Sequence, residues 1–236
     1  MSIEAIPEPL DTASLSTQVY QRLRTSLMRA ELRPEQRLKI RALALAMGTS
    51  ETPVREAIMQ LAQEGALEIK PRHFVRVRKA SLAEYLEIRD IRLQLEPLAA
   101  ERAMPHISEA ELAELADTHH RLREAERAGN WPTAIRANFD FHFGLYWRSA
   151  MPTLITVLES LWIRVGPLLT ELYPHAHPSY AERHQHENVL DALRAGDAYN
   201  LREAIRQDLL EGGRNLVRHL EALERGGASL ETEDNP

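Results

Sequence analysis

Four polar residues in the C-terminal half have the types and the spacing of a metal site. Asn138 and His142 are four residues apart, so both side chains lie on one face of a helix. His186 lies ten residues before the turn Gly196-Asp197, and Asp208 lies eleven residues after it. Because a helix rises about 1.5 Å per residue, these two side chains stand at similar heights on antiparallel helices. Two imidazoles, a carboxylate and an amide at one place suit a divalent ion such as Zn, Ni, Mn or Fe.

The same periodicity separates interior histidines from exposed ones. His186 shares a helix face with Val189 and Leu190, whereas His184 is predicted to point away from that face. Ordinary core packing would explain His186 or His142 alone, but four polar groups at matching heights favour a metal. The other histidines are predicted to lie on the surface or in loops: His106, His119, His120, His175, His177 and His219.

A metal at this place could also hold a small molecule through open coordination positions. An organic acid would put a carboxylate or hydroxyl on the metal, and an arginine would pair with its other end. Arg92 and Arg164 are the candidates, because each lies in an otherwise apolar helix context. A salt bridge explains them equally well, for example between Arg92 and Glu96 four residues later. Three aromatic residues either line this pocket or pack in the core: Trp162, Tyr146 and Phe139.

The chain around these candidates is helical nearly throughout. Ser81 and Ser108 stand at N-cap positions, and Glu84 and Glu111 complete capping boxes with them. Six helices are predicted, at residues 81–103, 108–128, 131–149, 152–173, 179–195 and 197–225. The expected fold is therefore mainly α, with an antiparallel bundle of about six helices in the C-terminal part.

The segment before the bundle has the pattern of a helix, a turn and a second helix. Gly48 ends the first helix, because glycine tolerates the left-handed conformation of a helix C-terminus. Ser50 or Thr52 is predicted to cap the second helix through a side-chain oxygen, and Pro53 fits its first turn. The second helix has one apolar face, formed by Val54, Ala57, Ile58 and Leu61.

A hairpin follows the second helix. Gly65 ends that helix, and residues 67–69 and 74–77 are predicted to form two short strands around a turn at 71–73. This order of elements is a winged helix-turn-helix, in which one helix enters a DNA groove and the hairpin supports it.

The distribution of charge agrees with that interpretation. Residues 1–80 hold 13 of the 29 Lys and Arg residues and 9 of the 35 Asp and Glu residues, a net charge of +4, whereas the remainder carries −10. Such asymmetry indicates that only the first part meets a polyanion. The basic residues near the predicted recognition helix and hairpin are Arg37, Lys39, Arg41, Arg55, Lys70, Arg72, Arg76, Arg78 and Lys79.

The stretch from Leu38 to Val77, with its core Thr-Pro-Val-Arg-Glu-Ala, resembles the DNA-binding domain of GntR-family transcription factors. The rest resembles the helical effector domain (FCD domain) of the FadR subfamily, and the resemblance covers about residues 12–226. It implies that operator DNA is contacted from the helix-turn-helix and the wing, where the candidates are Arg41, Ser50, Glu51, Thr52, Arg55, Arg72 and His73. Glu51 replaces a usual basic residue and His73 a usual glycine, so the operator sequence is expected to differ from the commonest one.

The resemblance also bears on the metal site. Many FadR-type effector domains bind a metal through an Asp or Asn followed by three His. Asn138, His142 and His186 match that set, and Asp208 takes the place of the third His. The implied protein is a homodimeric repressor that leaves a pseudo-palindromic operator when a small carboxylate binds. The alternatives are a metal-dependent enzyme that uses His142, His186 and Asp208, and a DNA-binding protein without any ligand.

Length and composition complete the sequence-based expectations. The 236 residues are assigned to an N-terminal segment 1–11, a winged domain 12–80, a helical effector and dimerisation domain 81–226, and a disordered tail 227–236. There is no cysteine, so disulfides and thiolate metal sites are excluded. The sequence shows no secretory leader and no uninterrupted apolar stretch near the ~18 residues that a membrane span needs. A cytoplasmic protein that does not enter a membrane is expected.

Overall fold

The structure is a computed structural model that describes residues 15–172, 176, 178, 180 and 183–231, with side chains to residue 225. The predicted N-terminal segment 1–11 lies outside the described residues. In the first part of the described chain the elements are α1 (Leu15–Met28), α2 (Ile40–Ala46), α3 (Glu51–Gln63), β1 (Leu67–Lys70) and β2 (Phe74–Val77). These elements form the predicted winged helix-turn-helix.

Helix α3 is fixed mainly by its apolar face. Val54 and Leu61 have no exposed surface, and Ala57 and Ile58 are 1% exposed. Ser50 is the N-cap residue, but its side chain makes no capping hydrogen bond. The predicted side-chain cap is therefore wrong, and α3 begins where burial of its apolar face and Pro53 in its first turn place it.

The wing is a two-stranded antiparallel hairpin. Leu67 pairs with Val77 and Lys70 pairs with Phe74, so three residues form the loop between the strands. Arg72 in that loop has a φ of 63°, in the left-handed region that costs a non-glycine residue energy. The exposed tip of the wing is thus held in a strained conformation with a cationic side chain on it.

The second part of the chain is a helical bundle. Its helices are α4 (Leu82–Ala103), α5 (Glu109–Arg127), α6 (Trp131–Tyr146), α7 (Pro152–Val165), α8 (Gln185–Ala195), α9 (Ala198–Gly212) and α10 (Arg214–Glu231). Three 3₁₀ turns follow α4, α6 and α7 at Met104–His106, Trp147–Ser149 and Gly166–Glu171. The capping box between Ser108 and Glu111 is present. At α4, Ser81 accepts the Glu84 N–H, but the predicted box is incomplete because the Glu84 carboxylate pairs with Arg78 and Arg164 instead.

Several helix boundaries differ from the predictions. Helix α8 begins at Gln185 rather than at 179, and α7 ends at Val165, where the 3₁₀ turn to Glu171 follows it. The segment predicted as one helix at 197–225 is divided between Gly212 and Arg214. A Cβ on Gly213 would lie 2.7 Å from the Tyr85 hydroxyl oxygen, so a glycine is needed where this junction packs against α4. Helix α10 then continues to Glu231, five residues into the tail that was predicted to be disordered.

The winged domain and the bundle share one hydrophobic cluster. Leu27 and Met28 of α1 belong to the same buried cluster as Phe143 of α6 and Trp162 of α7. The backbones come close at this junction, because a Cβ on Gly166 would lie 2.6 Å from the Leu27 carbonyl oxygen. Ion pairs surround the junction: Arg24 with Glu159 at 2.7 Å, Arg29 with Asp140 at 2.7 Å, and Arg164 with Glu84.

One stretch of the described chain, Pro152–Glu171, is long and apolar enough to cross a membrane by length and composition alone. Half of its most apolar window is buried inside the protein. The buried side chains of Leu158, Trp162 and Ile163 form part of the bundle core and of the junction with α1. Core burial therefore accounts for the apolar composition of this stretch.

Candidate functional site

Three of the four predicted metal ligands converge in the bundle. His142 on α6, His186 on α8 and Asp208 on α9 are all buried. The Nε2 atom of His142 lies 3.3 Å from Nε2 of His186 and 3.2 Å from Oδ2 of Asp208. Nε2 of His186 lies 3.8 Å from the same carboxylate oxygen. This cluster, called here the His–His–Asp triad, presents three ligand atoms of the predicted types to one point.

Asn138 stands one helical turn before His142. It is half buried and lines the same cavity as His142 and Asp208. Its side chain is therefore on the side of α6 from which it could approach an ion held by the triad. Its role as a fourth ligand remains a prediction.

The hydrogen bonds of His142 fix which of its nitrogens is available. Tyr146 donates its hydroxyl proton to Glu96 at 2.9 Å, and its oxygen lies 3.1 Å from Nδ1 of His142. Because the phenol has a single proton, Nδ1 of His142 must donate to it, and this assignment follows from the network. Nε2 is then the ring nitrogen of His142 that faces Asp208, and it carries either a second proton or a lone pair.

A lone pair and a carboxylate oxygen 3.2 Å apart repel one another unless a proton or a cation lies between them. Burial would raise the pKa of Asp208, but the hydrogen bond and charge of His142 outweigh it and lower that pKa below its ordinary value. Burial, and then the neighbouring histidines, hold the pKa of His186 well below its ordinary value, so this imidazole is neutral. The donor set is one carboxylate and two imidazole nitrogens, which are ligand types that a divalent transition metal prefers.

A cavity of about 70 Å³, partly open to solvent, lies beside the triad. Its lining includes His142 and Asp208 of the triad together with Arg92 and Trp162. The predicted ion pair of Arg92 with Glu96 is confirmed, with Nε 2.7 Å from the carboxylate. Arg92 also lies over the Trp162 ring at 4.5 Å from its centre. The cationic side chain is thus both paired and part of the cavity wall.

Three other predicted pocket residues lie elsewhere. Arg164 does not line this cavity; it pairs with Glu84 near the winged domain, and its Nε would be 3.6 Å from a Cβ on Gly65. The geometry therefore makes Arg164 a junction residue and does not support effector binding. Phe139 and Tyr146 are fully buried and are not among the cavity-lining residues, whereas Trp162 is.

The predictions that His184 and His119 are exposed are wrong. His184 is 4% exposed and His119 is 8% exposed, and their ring centres are 4.9 Å apart. His184 precedes α8 as its N-cap residue and accepts the His186 backbone N–H, so the helical face argument does not apply to it. For His119 a signal existed in the sequence, because it shares a helix face with buried Leu115 and Leu122.

The predicted DNA-binding residues form an exposed surface on the winged domain. Those with exposed side chains are Arg41, Ser50, Thr52, Arg55, Arg72 and His73. Arg55 is paired with Glu51 at 2.6 Å, one turn earlier on α3. Glu51 therefore points along its own helix towards the predicted reading arginine and partly neutralises its charge.

The remaining basic residues divide into two groups. Arg76 is paired with Glu68 and Glu35, and Arg78 is paired with Glu84, so these two are committed to ion pairs within the protein. In the described part of the chain no carboxylate is paired with Lys39, Arg41, Lys70, Arg72 or Lys79. These five remain available for phosphate contacts along α2 and the wing.

Comparison with known proteins agrees with this architecture. A model of bacterial regulatory proteins of the gntR family matches residues 15–77, and a model of the FCD domain matches residues 87–211. A winged DNA-binding domain followed by this helical domain in the same chain defines a class of transcriptional regulators. The chain belongs to the GntR family, in its FadR-type branch with an FCD domain.

Individual relatives give the same result. The transcriptional regulator McbR of Escherichia coli K12 is 34% identical over 194 residues, which cover 81% of this chain and 88% of McbR. The transcriptional repressor RspR of the same strain is 26% identical over 211 residues, or 89% and 92% of the two chains. The solved structure of E. coli McbR superposes with a TM-score of 0.79 at 32% identity, covering 88% of this chain and 99% of that one. These families and relatives are transcriptional regulators rather than enzymes, so the enzyme alternative has no support.

Proposed function

We propose that this chain is a cytoplasmic repressor that binds a pseudo-palindromic operator as a homodimer and leaves it when a small carboxylate enters the cavity. A symmetric pair of winged domains presents two recognition helices about 34 Å apart, one turn of DNA. The relative RspR is named a transcriptional repressor, and this favours repression over activation.

The proposal depends mainly on the position of Trp162, which lines the cavity and also packs in the junction between the two domains. Its ring lines the cavity beneath Arg92, and its Nε1 donates to Glu96 at 2.7 Å. The same side chain packs in the buried cluster that contains Leu27 and Met28 of α1. A ligand that moves Arg92 is therefore expected to move Trp162, which packs against α1 of the DNA-binding domain.

Arg92 and the metal ligands would hold the two ends of such an acid. Asn138, His142, His186 and Asp208 would bind a divalent ion, which when bound supplies a Lewis-acid anchor for a carboxylate. Arg92 pairs with Glu96 through Nε, and this leaves its two terminal nitrogens for a bidentate contact with a second carboxylate. The site thus favours a small acid with two anionic or polar ends.

The free energy that couples effector binding to operator binding is expected to be small. A ligand shifts an equilibrium only by its difference in affinity between the two states of the protein. Couplings of this kind are typically about 1–3 kcal/mol, so the effector is expected to weaken operator binding by about 5- to 150-fold.

The test is operator binding in the presence of small acids. Fluorescence anisotropy of a selected operator duplex would be measured with metal-loaded protein and a panel of dicarboxylic and hydroxycarboxylic acids. Trp162→Phe keeps the aromatic packing but removes the N–H that joins the cavity to Glu96. It is expected to bind operator normally and to lose most of the response.

Trp131→Phe is the matched control, because Trp131 begins α6 and belongs neither to the cavity lining nor to the cluster shared with α1. Its response to the active acid is expected to equal that of the unmodified protein. If no acid changes the operator affinity, the proposed effector is wrong. If Trp162→Phe responds to the acid as the unmodified protein does, the proposed coupling through Trp162 is wrong.

A further inference from the structure

We propose that His119, His184 and His186 form a second site for a divalent transition metal, next to the His–His–Asp triad. The ligand nitrogens of the three histidines lie within 4.8 Å of one another, and all three side chains are buried. They come from α5, from the N-cap position of α8 and from its first turn. This cluster, called here the three-histidine site, shares His186 with the triad.

Two nitrogens in this cluster are buried without a hydrogen-bond partner in the described chain. They are Nδ1 of His119 and Nδ1 of His186. A buried ring nitrogen normally has a partner, and a metal-binding histidine almost always gives its second N–H to an acceptor. Nε2 of His186 faces the triad, 3.3 Å from Nε2 of His142. Nδ1 of His186, on the other side of the ring, has no hydrogen-bond partner in the described chain. A cation beside Nδ1 satisfies what ordinary packing leaves unsatisfied.

The surroundings of His119 are those of a ligand whose ring is held in position. Its Nε2 lies 3.7 Å from the Glu187 carboxylate, and its Nδ1 is the atom without a partner. A carboxylate on one ring nitrogen, with a metal on the other, is the usual arrangement of a metal-bound histidine. Glu187 follows His186 directly on α8, so one helix turn supplies both the shared ligand and the orienting carboxylate.

The rings pack as one group. The centre of the His184 ring is 4.4 Å from that of His186 and 4.9 Å from that of His119. The His186 ring is stacked on Phe141 at 3.8 Å, and this holds its plane between the two sites. Three imidazoles without a carboxylate in the cluster suit Zn, Ni or Cu better than Mg or Ca, which prefer oxygen ligands.

Occupation of both sites has a chemical requirement. With one ion on Nε2 and another on Nδ1, His186 must release its remaining ring proton to the solvent and bridge the two ions as an imidazolate. His184 currently accepts the His186 backbone N–H through Nδ1 at 3.1 Å, and its ring must adjust to bind. The second ion is therefore expected to bind more weakly than the first and to release a proton as it binds.

The experiment is a zinc titration of the metal-free, tag-free full chain, followed by calorimetry and native mass spectrometry. Two ions per chain are expected, with a second binding event whose heat depends on the ionisation enthalpy of the buffer. His119→Gln is expected to bind one ion and to lose the second event. His142→Gln is expected to retain one ion, in the three-histidine site.

His120→Gln is the matched control, because His120 neighbours His119 on α5 but is exposed. It is expected to bind two ions, and thermal melting of each metal-free variant verifies the fold. A single ion in the unmodified chain that His119→Gln retains and His142→Gln loses would overturn the second site and leave the triad intact. A single ion lost only in His119→Gln would instead place the metal in the three-histidine site and contradict the triad.

Discussion

A chain of hydrogen bonds decides what the triad can bind. Glu96 is fully buried and accepts from Tyr146, Trp162 and Arg92. Because Tyr146 spends its only proton on Glu96, it must accept from His142, and that sets the tautomer of the ligand. One carboxylate therefore orients both the proposed metal ligand His142 and the arginine that faces the same cavity.

Tyr146→Phe is expected to weaken metal binding by about 10- to 100-fold, the usual effect of losing a group that orients a ligand. The phenyl ring preserves the packing, while Nδ1 of His142 loses its acceptor. Competition with a chromophoric chelator measures the change. Tyr199→Phe is the control, since Tyr199 is 79% exposed on α9. Equal affinities in the two variants would contradict the role given to Tyr146.

The ion pair of Glu51 with Arg55 leads to a second prediction at the residue scale. Glu51→Gln removes one negative charge from the DNA-facing end of α3. About 1 kcal/mol per charge pair at 4 Å in water corresponds to about a fivefold gain in affinity for random duplex DNA at low salt. Glu109→Gln makes the same charge change on α5 of the bundle and is expected to leave binding unchanged. Weaker binding by Glu51→Gln would show that this carboxylate contacts DNA favourably.

At the scale of elements, the regular helices and the local turn at Gly196-Asp197 could be predicted, whereas a break that depends on a distant contact could not. The apolar spacing of Val54, Ala57, Ile58 and Leu61 predicted α3, and the Ser108 cap predicted the start of α5. The break at Gly213 depends on contact with Tyr85, more than a hundred residues away, so no local pattern reveals it.

The candidate site residues on regular helices could likewise be predicted, and those outside helices or with distant partners could not. His142, His186 and Asp208 were found because regular helices carry them to one height. His184 was missed because it lies just before a helix, where 3.6-residue periodicity gives no direction. Arg164 was misplaced because its partner, Glu84, is distant in sequence.

The junction between α1 and the end of α7 has no room for an added methyl group at Gly166. Gly166→Ala puts a Cβ 2.6 Å from the Leu27 carbonyl oxygen, and backbone must move to accommodate it. Overpacking of this kind typically costs about 1–3 kcal/mol, so the free energy of unfolding in urea is expected to fall by that amount. The control is Gly144→Ala, which meets only the flexible Leu115 side chain at 3.3 Å. A loss in Gly166→Ala no larger than in the control would mean that the two backbones are not tightly packed.

At the scale of the whole molecule, the two halves of the chain differ in charge and in internal structure. The basic winged domain has lysines and arginines free of ion pairs in the described chain, and the acidic bundle contains the cavity and the histidine cluster. Trp162 connects the halves through the cluster it shares with α1. This contact gives the proposed ligand a path by which to influence DNA binding without sharing a surface with the DNA.

Selection of binding sites from a randomised duplex library, at near-physiological salt, is the measurement that tests the central claim most directly, because salt suppresses non-specific phosphate binding. The unmodified protein is expected to enrich two symmetric half-sites about one DNA turn apart. Arg55→Ala is expected to lose about 1–3 kcal/mol of affinity for that sequence with no change in melting temperature. A folded protein that enriches no sequence, or an enriched palindrome that Arg55→Ala binds equally well, would contradict the account of α3 as the reading helix of an operator-binding dimer.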